Sequence, residues 1–215
     1  MFYFKKIPNL ISSAASKSLW HLPRDKKQIA LTFDDGPTVE VTEYVINVLR
    51  YYNIKATFFC IGNNIINAPM LFISLKSEGH TIGNHTYSHL DGWFTKFEDY
   101  INDVQATSKL TDSKLFRPPY GRITISQAKE LRRLGYSIIQ WDVMPGDFDE
   151  KLSQEDCLRH AIQYTENGSI IALHDSTVAQ VNLEYMLPRY IDHCLQSGYQ
   201  FVTIPTPAAI NPPTP

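Results

Sequence analysis

Short apolar runs and helical patterns alternate along all but the ends of the 215 residues, and that alternation limits the fold more than any other feature. Strand-like runs fall at 29–33, 56–61, 81–84, 115–117, 136–141, 169–174 and 200–203. Val41, Tyr44, Val45, Val48 and Leu49 recur at the spacing of one helix face. Further helices are expected over 69–78, 97–110, 126–134, 154–165 and 183–196. Pro69 near a first position, Ser126 as an N-cap, and Gly79, Gly135 and Gly198 just past helix ends punctuate them. Strands separated by helices imply a parallel sheet, either open and doubly wound or closed into a barrel, and periodicity does not choose between the two.

Composition removes several function classes. Twenty Lys and Arg against 22 Asp and Glu give a net charge of -2, which draws the chain toward neither nucleic acid nor an anionic membrane. With 43% hydrophobic and 20% charged residues there is ample surface to bury, which excludes disordered and fibrous classes. The length suits one domain, expected over 29–204, with an N-terminal extension over 1–28 packed on it and a mobile, Pro-rich tail over 205–215. Cys60, Cys157 and Cys194 are odd in number and widely spaced, so buried thiols are expected. No run approaches the ~18 apolar residues of a membrane span, and the first 22 residues lack the apolar core of a signal peptide. A cytoplasmic monomer is the expectation, with export left open.

Polar clusters end the strand-like runs. In Thr32-Phe33-Asp34-Asp35-Gly36-Pro37 two adjacent carboxylates point to opposite sides unless the turn re-aims them, so one can bind a metal while the other stays free. By itself the motif is an ordinary turn. His85 and His89, four apart in His-Thr-Tyr-Ser-His, would share a face of one helical turn. Adding Asp35 makes a two-nitrogen, one-oxygen set with an open position, the arrangement of catalytic rather than structural zinc. Arg117-Pro118-Pro119-Tyr120-Gly121 is a turn stiffened by prolines, with an arginine beside an acidic site. Leu173-His174-Asp175 ends the sixth run. Polar clusters at the ends of at least five runs favour a ring around one site, hence an incomplete barrel.

These four motifs, in this order, resemble the polysaccharide deacetylase family, the NodB-homology domain of carbohydrate esterase family 4, from about Ile29 to Thr203. The resemblance implies an α/β fold, a distorted, incomplete (β/α) barrel of seven to eight βα repeats. It implies removal of acetyl groups from N-acetylated sugars of chitin or peptidoglycan type by a divalent metal, zinc first and cobalt or another first-row ion after it. Carried over, Asp34 is the general base, Asp35, His85 and His89 are the metal ligands, and Arg117 holds the base. Tyr120 supplies an oxyanion-hole N–H, and His174 is the general acid.

One segment departs from the family pattern, which resembles Trp-x-x-Asp-x-x-Asp-Trp. Here Trp141-Asp142-Val143-Met144-Pro145-Gly146-Asp147-Phe148 has Met144 at the first aspartate and Phe148 where a tryptophan often lines the acetyl pocket. Asp147 or Asp175 is then the candidate to tune His174, although Asp142 and Asp147 read equally well as ordinary loop acids. Pro118, Tyr120, Trp93, Trp141 and Leu173 are candidate sugar contacts, Trp141 fitting the core better than a platform. The same motifs would serve an O-acetyl esterase on xylan-type sugar, or a carbohydrate-binding protein without turnover.

Overall fold

A computed structural model describes residues 3–14 and 17–205. All but the first residue of the Pro-rich tail lies outside them. Six strands form one parallel sheet, β1 (Gln28–Asp34), β2 (Thr57–Cys60), β3 (Thr81–Asn84), β4 (Leu115–Phe116), β5 (Ser137–Ile138) and β6 (Ile170–His174), in the order β5-β4-β3-β2-β1-β6. β7 (Gln200–Phe201) joins β1 at Gln28 and Ile29, ahead of the β1 pairings with β2 and β6. The helices are α1 (Asn9–Ala14), α2 (Val41–Tyr51), α3 (Gly62–Asn67), α4 (Pro69–Ser77), α5 (Phe97–Thr111), α6 (Ile125–Arg133), α7 (Gln154–Tyr164) and α8 (Gln180–Gln196). Among the described residues no helix is long and apolar enough to cross a membrane.

Strand alternation sorts the side chains into two layers. Ile29, Leu31 and Phe33 of β1, Phe58 and Cys60 of β2, and Ile171 and Leu173 of β6 pack under α2, α4 and α8. Ala30, Phe59, Leu115, Ile170 and Ala172 point the other way, into the concave interior with Ile139, Trp141 and Met144. The same alternation puts Thr32, Asp34 and His174 on the interior side. Cys60, Cys157 and Cys194 are buried free thiols.

The sheet curls into a half-barrel whose open side is filled by N-terminal residues. Leu19 pairs in parallel with Ile139, His21 antiparallel with Ser169, and Val143 in parallel with Ile171. Ile7 and Leu22 complete the interior cluster. An ion network centred on the buried Asp142 fixes this segment: the partly buried Lys6 and Arg24 both reach it, at 2.7 and 3.4 Å, and Ser169 donates to the same carboxylate.

Several boundaries differ from the sequence expectation. The run 136–141 is a two-residue strand, because the Gln140 N–H turns to the Leu19 carbonyl and Asp142 to that of Ile170. Helix α3 has no periodic signature. Its first two N–H groups bond the Thr86 and Tyr87 carbonyls instead of a side-chain cap. Helix α6 is capped by Thr124, not Ser126, since Gln127 stands three residues beyond Thr124 and closes a reciprocal capping box. Thr124→Ala should therefore lower stability by about 1 kcal/mol in urea unfolding, whereas Ser126→Ala should leave the midpoint nearly unchanged.

Candidate active site

The polar cluster forms at the C-terminal ends of β1, β3, β4 and β6. Arg117 follows Leu115 by two residues and so points inward, where it is fully buried. Its Nη1 donates to Asp34 Oδ1 and Thr32 Oγ1, each at 2.7 Å, its Nη2 donates to the Gln140 carbonyl at 2.9 Å, and its plane lies 4.2 Å from the Phe59 ring centre. Among the described residues no donor reaches Asp34 Oδ2, which leaves that oxygen free to accept a proton.

The residue after Asp34 would point away if the strand continued. Asp35 instead adopts φ 82°, the left-handed region, and its carboxylate turns toward the two histidines. Asp175 holds this turn: it accepts from the Gly36 N–H at 3.1 Å and from the Thr42 hydroxyl, and a Cβ on Gly36 would lie 1.9 Å from its Oδ2. Burial, with Asp35 nearby, pushes the Asp175 carboxyl up to about 8 against those two hydrogen bonds.

His85 and His89 are not on a helical turn. Thr86 and His89 have positive φ, and Asp103 accepts from the Tyr87 and Ser88 N–H groups to shape the loop. His85 Nδ1 lies 2.8 Å from the Arg117 carbonyl, which accepts only from an N–H, so Nε2 keeps its lone pair. Burial lowers the His85 pKa to about 4, against the pull of Asp34, and keeps the ring neutral. Burial works against the Asp35 charge, but His89, His174 and His85 together hold it well below the usual carboxylate range.

These three residues fit a metal. Asp35 Oδ1 lies 3.7 Å from His85 Nε2 and 3.2 Å from His89 Nε2. Tetrahedral ligands at ~2.1 Å from zinc sit ~3.4 Å apart, and the two distances bracket that value. One carboxylate and two imidazole nitrogens are the donor set of a catalytic ion with an open position.

His174 faces this cluster from β6, in register with Asp34 on β1. Asp147 is fully buried, accepts from the His174 N–H at 2.6 Å and contacts its Nδ1 at 2.9 Å. Burial opposes a charged His174 ring, but Asp147, then Asp35 and Asp34, outweigh it and raise the pKa to about 10. Of the two candidates for tuning His174, Asp147 touches it and Asp175 does not.

Tyr120 adopts φ 59°, and among the described residues no acceptor takes its N–H. Its ring lies 4.8 Å from that of His89. The expected sugar contacts divide. Trp93 is 60% exposed with Arg122 5.1 Å from its ring centre. Trp141 is 9% exposed and packed in the interior cluster, so it offers a sugar no open face. Leu173 is fully buried and, one residue before His174, faces the helices rather than the site. Pro118 is buried as well. Thr32 is an addition, sharing the inward face of Asp34 two residues on, a parity the sequence contains, and the Phe148 ring, expected near the acetyl pocket, lies 4.9 Å from His174.

Comparison with known proteins places the chain in a family. Residues 21–139 match the model of the polysaccharide deacetylase family, and the chain belongs to that family. It is 33% identical over 192 residues to a peptidoglycan-N-acetylglucosamine deacetylase of Bacillus cereus, covering 86% of this chain and 90% of that one. It is also 33% identical to the peptidoglycan-N-acetylmuramic acid deacetylase PdaA of Bacillus subtilis, covering 83% of this chain and 70% of that protein. A crystal structure of the Bc1960 peptidoglycan N-acetylglucosamine deacetylase superposes with a TM-score of 0.86 at 30% identity, over 93% of this chain and 95% of that one.

Because Asp147 is the largest upward pull on His174, Asp147→Asn should move that ring back toward its ordinary value near 6.5. An NMR titration of the histidine ring protons should show the midpoint moving to lower pH.

Proposed function

We propose that the chain is a metal-dependent N-deacetylase of glycans of peptidoglycan or chitin type. The observation that carries this reading is the pairing of Asp34 and His174 on adjacent strands, in register, beside the Asp35–His85–His89 triangle. An acid and a base at one level, flanking a metal-ligand set, suit hydrolysis of an amide, which needs a proton removed from water and another delivered to nitrogen.

A divalent ion held by Asp35, His85 and His89 would polarise the acetyl carbonyl and make water a better nucleophile. Asp34 receives the proton of the attacking water on Oδ2, while Arg117 keeps its carboxylate fixed through Oδ1. As the carbonyl carbon becomes tetrahedral, negative charge grows on oxygen, and the unpartnered Tyr120 N–H is the donor available to it. His174, kept protonated by Asp147, gives its proton to the amine as the C–N bond breaks. Amines are poor leaving groups unless protonated. The exposed Trp93 is the open aromatic face on which a neighbouring sugar can stack.

Zinc-reconstituted protein should release acetate from short N-acetylglucosamine oligomers, and chelated protein should not. Asp34→Asn should reduce the rate by on the order of 10²–10⁴ while zinc content stays the same. Absence of release from a sample shown to hold zinc would overturn the N-deacetylase reading.

A further inference from the structure

The segment before the first long strand does more than close the barrel. Tyr3–Ile7 runs antiparallel to the chain after β5: the Ile7 N–H donates to the Asp142 carbonyl at 3.0 Å, the Met144 N–H donates to the Lys5 carbonyl at 3.1 Å, and Lys6 pairs with Val143. Three further contacts surround Asp147. Lys5 Nζ lies 2.9 Å from His160 Nε2, and an ammonium can only donate, so His160 carries its hydrogen on Nδ1, which faces the Pro145 carbonyl at 3.4 Å. The Tyr3 hydroxyl donates to Asp149 at 3.2 Å and fills the space over Gly146, where a Cβ would meet it at 2.1 Å. The Tyr3 ring stands 5.0 Å from that of Phe148, which in turn stands edge-on to His174 at 4.9 Å.

The strap therefore touches both chain neighbours of Asp147 as well as the ring beside its partner histidine. Asp147 is itself held from the other side by Asn182, which donates to its carbonyl at 2.9 Å. We propose that this strap, through Tyr3, positions the Asp147–His174 pair that delivers the proton to the leaving amine. Tyr3 is a positioning residue and touches no reacting atom. Phe148 and the turn at Gly146 carry its effect. Loss of the Tyr3 ring leaves Phe148 without its support and Gly146 without its cover, and misplacement of a proton donor by a fraction of an ångström is enough to slow transfer. The metal ligands and Asp34 lie on β1 and in the loops after β1 and β3, away from the Tyr3 contacts at Gly146, Phe148 and Asp149, so loss of the Tyr3 ring spares them.

This inference rests on the N-deacetylase reading, and its test uses the leaving group. An amide must have its nitrogen protonated, whereas an aryl acetate expels a phenolate that needs no acid. Zinc-loaded wild type, Tyr3→Phe and Tyr3→Ala are compared for acetate release from N-acetylglucosamine oligomers and for hydrolysis of 4-nitrophenyl acetate, with melting temperatures and zinc content measured alongside. The expected result is a kcat on the amide about tenfold or more lower for Tyr3→Ala with KM within twofold, 4-nitrophenyl acetate turnover unchanged, and a smaller amide loss for Tyr3→Phe, which keeps the ring. Equal loss on both substrates would make the strap a general stabiliser and overturn the proposal, as would unchanged amide turnover in Tyr3→Ala. A wild type that hydrolyses the aryl ester but releases no acetate from the oligomers would overturn the N-deacetylase reading, and this proposal with it.

Discussion

The buried pair of Arg117 and Asp34 is the contact on which the architecture and the site both depend. β4 and β1 are three places apart in the sheet, ~14 Å if the strands lay flat at ~4.8 Å spacing, which is beyond the reach of an arginine side chain. The 2.7 Å contact exists because the sheet curls and brings the two strands across a shared interior. A charge fully removed from water is expensive, and here it is met by a carboxylate, a hydroxyl, a carbonyl and an aromatic face. Taking away either partner would leave the other uncompensated, at a cost of about 3–5 kcal/mol. The backbone carbonyl of the same arginine also fixes the ring of His85, so one residue sets the geometry of Asp34 and His85 together.

Strand parity explains most of what could be read from the sequence. Asp34 and His174 face inward because every second residue of β1 and β6 does, and Leu173 faces outward for the same reason. The parity was present in the runs 29–33 and 169–174, so Leu173 could have been assigned to the helical layer from sequence alone. Where parity breaks, at Asp35, the backbone takes a positive φ that only the surrounding turn can maintain. The Asp-Asp pair showed that something had to re-aim one carboxylate. It did not show that Asp175 would hold the turn, because a residue 140 positions on comes beside it only through the pairing of β1 with β6.

What stayed illegible shares one physical character, namely short contacts between segments far apart in sequence. The bridges of Lys6, Leu19 and His21 are single pairs, too short to carry a period of two. Helix α3 draws its first bonds from the loop after β3, so no local cap announces it. The spacing of His85 and His89 suggested a helix, yet a four-residue interval is also met by a loop with two left-handed residues, and here Asp103, on α5, decides for the loop. Trp141 sits where Arg117 and the strap both need an apolar wall, a requirement visible only once the barrel is closed.

The Met144 departure follows the same logic. A carboxylate at position 144 would have to be buried in the interior cluster, where Met144 is 7% exposed, packs with Ile7 and Trp141, and has its N–H committed to Lys5. Burying an additional charge there without a partner would cost several kcal/mol. Asp147 makes both contacts that His174 needs, one to its backbone N–H and one to its ring, and Asn182 anchors the chain behind it. The methionine thus fills apolar space that an aspartate would have to be ionically compensated to occupy, and among the described residues Asp147 is the carboxylate in contact with His174.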